Sequence, residues 1–167
     1  QARGLEEREQ RHLERSIADD TEAVKLKPDY DLALANWGRL LLTENKPAEA
    51  LEKLDRALAI NRNRPGEKPF NATTEKALID RGRALIDMKR YQEAKSAFDH
   101  ALTVFPPAFH AQIGISHAFL AQIALAQKNP AQAMREYDLA VAAAPKNPVL
   151  YRDRAKLLTQ QGSLAKA

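Results

Sequence analysis

Four times along the chain, side chains of fixed size fall at fixed offsets: a small residue, a bulky residue four positions on, an alanine three further, and a proline five beyond that. The spacing is complete as Ala94, Phe98, Ala101, Pro106 and again as Ala133, Tyr137, Ala140, Pro145. Ser16, Asp20, Ala23, Pro28 keeps it with an acid in the bulky slot, and Ala50, Leu54, Ala57 is followed by Arg62 where proline is expected. Twelve residues before each first small residue lies another small one: Gly4, Gly38, Gly82, Ala121, and Ala155 ahead of Ala167. Small residues at a constant offset let two helix backbones approach closely, and the bulky residue then fills the groove between that pair and the next helix. A pair alone leaves an apolar face open, so neighbouring pairs must stack to cover it. This recurrence restricts the chain to a stack of helix pairs, an all-α fold.

The alanines Ala23, Ala57, Ala101 and Ala140 are 34, 44 and 39 residues apart, a 34-residue unit with insertions. Period and pattern resemble the tetratricopeptide repeat, whose helix-turn-helix unit carries W-x2-L-G-x2-Y followed by A-x3-F and P. The best stretch is Leu34, Trp37, Gly38, Leu41, Ala50, Leu54, Ala57. The resemblance implies an all-α, right-handed superhelix of stacked antiparallel helix pairs, an α-solenoid forming a single domain over 1–167. The expected divisions are a partial repeat over about 1–30, repeats over 31–64, 65–108 and 109–147, and a partial repeat over 148–167. An inserted loop, 61–73, accounts for the interval of 44, and a lengthened first helix accounts for the interval of 39.

Helices are expected near 5–27, 31–44, 47–60, 74–88, 91–104, 108–127, 130–143 and 148–160. Pro28, Pro47, Pro106, Pro107, Pro130 and Pro148 mark where helices end or begin, and Pro47, Pro130 and Pro148 suit first-turn positions, where a missing amide hydrogen costs nothing. Within 108–127 two registers compete: Ala121 fits the twelve-residue offset but puts His117 in a normally apolar slot, whereas the other register packs Ile115, Ser116 and Phe119. Residues 5–12 lack an apolar stripe and the chain stops inside a repeat, so it reads as a segment of a longer protein or a mature chain after signal removal.

The absence of cysteine excludes disulfides, thiolate metal sites and a Cys nucleophile, and leaves the compartment open between cytoplasm and periplasm. No apolar run approaches the roughly 18 residues of a membrane span, so a soluble chain is expected. With 26 basic and 22 acidic residues interleaved, the net charge of +4 falls short of a nucleic-acid arm. There is no phosphate-binding Gly-rich loop, zinc helix or nucleophile elbow, and no catalytic set or cofactor is expected. His110 and His117, seven apart on one helical face, lack the further ligands that a metal site wants. Trp37, Leu54, Phe98 and Tyr137 are core by spacing. Asn71-Ala72-Thr73 matches a glycosylation acceptor, but Thr73 or Thr74 suits a helix N-cap.

These features favour a non-catalytic interaction module or adaptor that receives a peptide or partner helix, acidic and partly apolar, in a groove lined by successive first helices. The side chains expected there are Asn36, Arg39, Lys76, Asp80, Arg83, Arg152, Asp153 and Lys156. Arg62, Arg64, Lys68 and Phe70 of the inserted loop form a second candidate surface. The carboxylate clamp that some family members use for heat-shock chaperone tails is not matched, because its slots hold Ala35 and Arg39, then Asp80, then Ile115 and Phe119. A scaffold that self-associates through its end repeats is the alternative. Nucleic-acid binding is disfavoured because Asp80, Asp87 and Asp153 interrupt any basic stripe.

Overall fold

The computed structural model describes residues 2–63 and 71–164, with side chains described for residues 10–63, 71, 73–160 and 162. Among the described residues eight helices follow one another: α1 (Ala2–Leu26), α2 (Asp31–Thr43), α3 (Pro47–Arg62), α4 (Ala72–Asp87), α5 (Tyr91–Val104), α6 (His110–Ala126), α7 (Pro130–Ala143) and α8 (Pro148–Leu164). No strand occurs among the described residues. The fold is all-α, and it falls into two compact units, residues 1–89 and 90–167.

In the first unit α1 packs on α2, α2 on α3 and α4, and α3 on α4. The small residue of the repeat acts as expected at Gly38: a β-carbon there would lie 2.6 Å from Leu54 Cγ and 3.2 Å from the Ala50 carbonyl oxygen. Leu34, Ala50, Leu54 and Ala57 are fully buried around this approach. Burying a leucine stabilises a fold by about 1.5 to 3 kcal/mol, so the pair is held chiefly by these apolar contacts. Trp37 departs from expectation. It is only half-buried, and Lys53 Nζ sits 4.7 Å from its ring centroid in a cation–π contact.

α3 runs two residues beyond its expected end and α4 starts two residues early, for a shared reason. Buried Asn61 donates through Nδ2 to the Asp31 carboxylate, and Asn71 Nδ2 donates to Asn61 Oδ1 at 2.6 Å. Asn71 Oδ1 in turn accepts from the amides of Thr73 and Thr74, both at 3.0 Å. The N-cap of α4 is therefore Asn71 and not Thr73 or Thr74. Both ends of the inserted loop are tied by side-chain amides to the start of α2.

In the second unit α5 packs on α6, α6 on α7 and α7 on α8. Phe98 of α5 and Phe119 of α6 stack with ring centroids 5.0 Å apart. Ala121, Ala124, Ala133, Tyr137 and Leu157 form one buried cluster, and Ala140, Val141, Ala144 and Leu150 another. The backbone decides the register of α6. Asn45, Lys89 and Lys128 all have positive φ, at 58°, 60° and 58°, and each lies seven residues after a small residue: Gly38, Gly82 and Ala121. Ala121 is thus the counterpart of Gly38, and the extra residues of this repeat lengthen α6 at its N-terminus. Ser116 is buried too, its hydroxyl satisfied by the Gln112 carbonyl at 2.9 Å. No described helix is long and apolar enough to cross a membrane.

Candidate functional site

α4 presents Lys76, Ile79, Arg83 and Ile86 at spacings of three, four and three, which is one face of a helix. Ile79 and Ile86 are half-buried, Lys76 is exposed, and Asp80 lies beneath the cations at 6% exposure. Arg83 Nη1 donates to Asp80 Oδ1 at 3.3 Å. Burial pushes the Asp80 carboxyl above its ordinary range, against the opposing pull of the Arg83, Arg39 and Lys76 charges. Arg39 comes from α2, which packs beside α4, so the two helices share one charged face.

Arg39 also faces α1. There the Asp20 carboxyl is raised by burial and by the neighbouring charge of Asp19, and is drawn back by Arg39 and by a hydrogen bond with Asn36. Five of the expected residues, Asn36, Arg39, Lys76, Asp80 and Arg83, therefore converge in the first unit. Asp20 joins them unforeseen, although its presence in the bulky slot of the repeat was a signal. An acid there cannot fill an apolar groove and must find polar partners instead. Three cations meet here; of the carboxylates around them Asp20 and Asp80 sit deeper than Lys76 and Arg39, and Asp19 is exposed beside Asp20.

The other expected residues lie on α8. Asp153 gathers them: Arg152 Nε donates to its Oδ1 at 3.0 Å, and Lys156 Nζ lies 3.6 Å from the same oxygen. Asp153 also approaches Tyr137 of α7, whose hydroxyl is raised first by burial and then by this negative charge. Arg62 is exposed at the end of α3, while Arg64, Lys68 and Phe70 lie outside the described residues.

A second polar contact was missed altogether. His117 Nδ1 lies 2.8 Å from Glu136 Oε2, with the two side chains only 17% and 13% exposed, and Gln132 Nε2 donates to Glu136 Oε1 at 2.6 Å. His117 occupies the slot that Leu34 and Leu78 fill in the other repeats, so the histidine is tolerated because Glu136 on α7 satisfies it. This pairing turns His117 toward α7, while His110 stands at the N-terminus of α6. Among the described residues no group of three His, Cys, Asp or Glu side chains could hold a metal ion.

The tetratricopeptide repeat family model matches residues 2–67 and 79–148. The chain belongs to the tetratricopeptide repeat family. Among solved structures, pilF of Pseudomonas aeruginosa superposes with a TM-score of 0.73 at 22% identity, over 96% of this chain and 66% of that one. A MamA RS-1 double mutant gives 0.69 at 14% identity, over 95% of this chain and 82% of its own. A further MamA structure gives 0.68 at 17%, over 97% and 96%. At these identities the likeness establishes the fold. The chain spans just under two thirds of the pilF chain. No curated protein sequence matches the chain. The repeats are those of a protein-interaction module, in a family that is generally non-catalytic.

Proposed function

We propose that the chain is a non-catalytic adaptor that receives an acidic, partly apolar peptide or partner helix on the face shared by α2 and α4. The observation that supports this reading is the convergence of Arg39, Lys76 and Arg83 beside half-buried Ile79 and Ile86, with the compensating acids sunk below them. Exposed ion pairs contribute only about 0 to 1 kcal/mol each, so the cations select the partner and speed encounter while the isoleucines supply most of the affinity. Asp80 holds the Arg83 side chain in place and lowers its ordering cost on binding. Partners captured by the native protein are compared with those captured by the Arg39→Glu, Arg83→Glu double variant, whose helicity is checked by circular dichroism. Loss of a partner from the folded variant supports the reading, and an undiminished set of partners sinks it.

A second reading, a scaffold that associates with itself through its end repeats, draws on α8, where Val149, Tyr151 and Leu158 are 44%, 41% and 54% exposed. Sedimentation across a hundredfold concentration range separates the two. A mass that rises with concentration, and that Leu158→Glu returns to the monomer, favours the scaffold.

A further inference from the structure

Asp80 is a carboxylate held where ionisation is unfavourable, directly beneath the cations of the α2 and α4 face. It is 6% exposed. The hydrogen bond it accepts from Arg83 Nη1 is 3.3 Å long, where a charge-assisted contact is usually about 2.7 to 2.9 Å. The Arg83 side chain is 41% exposed, so one guanidinium joins a buried acid to the surface. A buried charge with so long a contact is poorly compensated, and uptake of a proton relieves it.

The charges acting on Asp80 come from two helices, Arg83 and Lys76 of α4 and Arg39 of α2. α3 also packs on α4, but it pairs Asp55 with Arg81, pairs Glu52 with Lys53 and lays Lys53 over the Trp37 ring. α1 reaches the cluster through Asp20, which feels Asp19 on its own helix and Arg39 on α2, and which bonds to Asn36. Against the three cations burial still prevails at Asp80 and lifts its carboxyl above the ordinary 3.8.

An ionised Asp80 cancels one of the positive charges offered to an acidic partner, and a neutral Asp80 does not. The neutral acid keeps a carbonyl oxygen that accepts from Arg83, so the guanidinium stays ordered while the charge opposing it disappears. Half-buried Asp20 stands in the same relation to Arg39 at smaller depth. An anionic partner placed over the face disfavours both ionised acids further. By linkage, whatever a proton adds to the affinity for the partner, the partner adds to the affinity for the proton.

We propose that the face shared by α2 and α4 is gated by acid: proton uptake by Asp80, reinforced by Asp20, raises its net positive charge and tightens its hold on an acidic partner. The gate rests on the reading of that face given above. The tightening grows as pH falls through the folded value of Asp80 and levels off below it.

The probe is an acetylated amphipathic peptide of leucine, alanine and cysteic acid, whose sulfonates keep their charge in weak acid, so that only the protein titrates. Its binding to the intact chain is measured by calorimetry from about pH 7.5 down to about pH 5, above the ordinary carboxylate range of about 4. Native protein is expected to bind at least about five-fold more tightly at the acid end, the lower bound of typical coupling between two sites. It is also expected to take up protons on binding, read as a heat that changes with the ionisation enthalpy of the buffer. Asp80→Asn binds tightly at both ends and takes up fewer protons, and Asp20→Asn loses a smaller part of the dependence. Histidines are common to all these proteins, so the difference between native protein and Asp80→Asn isolates the buried acid. A carbon-13 NMR titration of the Asp80 carboxyl in native protein needs no variant: its midpoint should rise when the peptide saturates the face. The gate is overturned if native binding is the same across the range, if Asp80→Asn keeps the full dependence, or if that midpoint does not rise. A pH-independent affinity that the Arg39→Glu, Arg83→Glu variant loses overturns the gate and leaves the face standing. A peptide that native protein fails to bind throughout, or that this variant binds equally well, overturns both.

Discussion

A methyl group at position 38 measures how closely α2 and α3 approach. Alanine gains about 1 kcal/mol over glycine in a helix, but its β-carbon would sit 2.6 Å from Leu54 Cγ, inside a fully buried side chain. Overpacking costs of about 1 to 3 kcal/mol exceed that gain. Gly38→Ala is therefore expected to lower stability in urea unfolding, and a net gain would mean that the two helices have room to spare. Asp80 makes a second residue-scale prediction through pH. Its carboxyl is raised above the ordinary 3.8 by burial, so the folded state binds its proton more tightly than the unfolded chain does. The stability it contributes is present below 3.8 and is lost as pH rises through the folded value. Asp80→Asn removes this dependence. The stability of native protein minus that of Asp80→Asn should fall as pH climbs from 3.8 through the weakly acidic range, and a difference that stays flat or grows would contradict the burial-dominated shift.

At the scale of helices and turns, prolines and glycines made most of the fold legible, because they constrain the backbone wherever they occur. The bounds of α5 and α7 agree with expectation, and those of α2 differ by one residue. The departures come from side chains whose partners lie far along the chain. Asn61 and Asn71 carry no local sign that they will bond to one another across the inserted loop, and their pairing moves two helix ends. His117 is anomalous on its own helix and ordinary once Glu136, nineteen residues later, stands beside it. The register of α6 was undecidable from apolar spacing because Gly114, Ser116 and Ala121 are all small and all buried. The three tight turns are closed by Asn45, Lys89 and Lys128 in the left-handed region, where glycine is the usual choice. Lys89→Gly and Lys128→Gly should each raise stability by about 0.5 to 1 kcal/mol, since a left-handed β-carbon costs more than the added backbone freedom. Asn71→Ala should cost about 1 to 2 kcal/mol, by loss of an N-cap and of the partner to buried Asn61. Thermal unfolding of the three variants checks both statements.

For the molecule as a whole, stability in a stack of repeats is shared between neighbours, which frees each helix face to carry charge for a partner. Five of the eight expected groove residues converge in the first unit. Their depth was not legible in the sequence: that Asp80 is buried, or that Asp20 would feel the Arg39 charge, depends on how closely α1, α2 and α4 pack. The central claim, that this face selects an acidic partner, predicts binding that weakens moderately with added salt, since screening acts on the exposed cations and leaves the isoleucine contacts alone. The most direct measurement is a charge exchange, in which a captured partner is titrated against native protein and the Arg39→Glu, Arg83→Glu variant, both with its acidic residues intact and with them changed to lysine. The account predicts that the variant binds the native partner at least about ten-fold more weakly, as loss of two charge-assisted contacts implies, and that the lysine-bearing partner restores the affinity. Equal binding of the native partner by both proteins would contradict it.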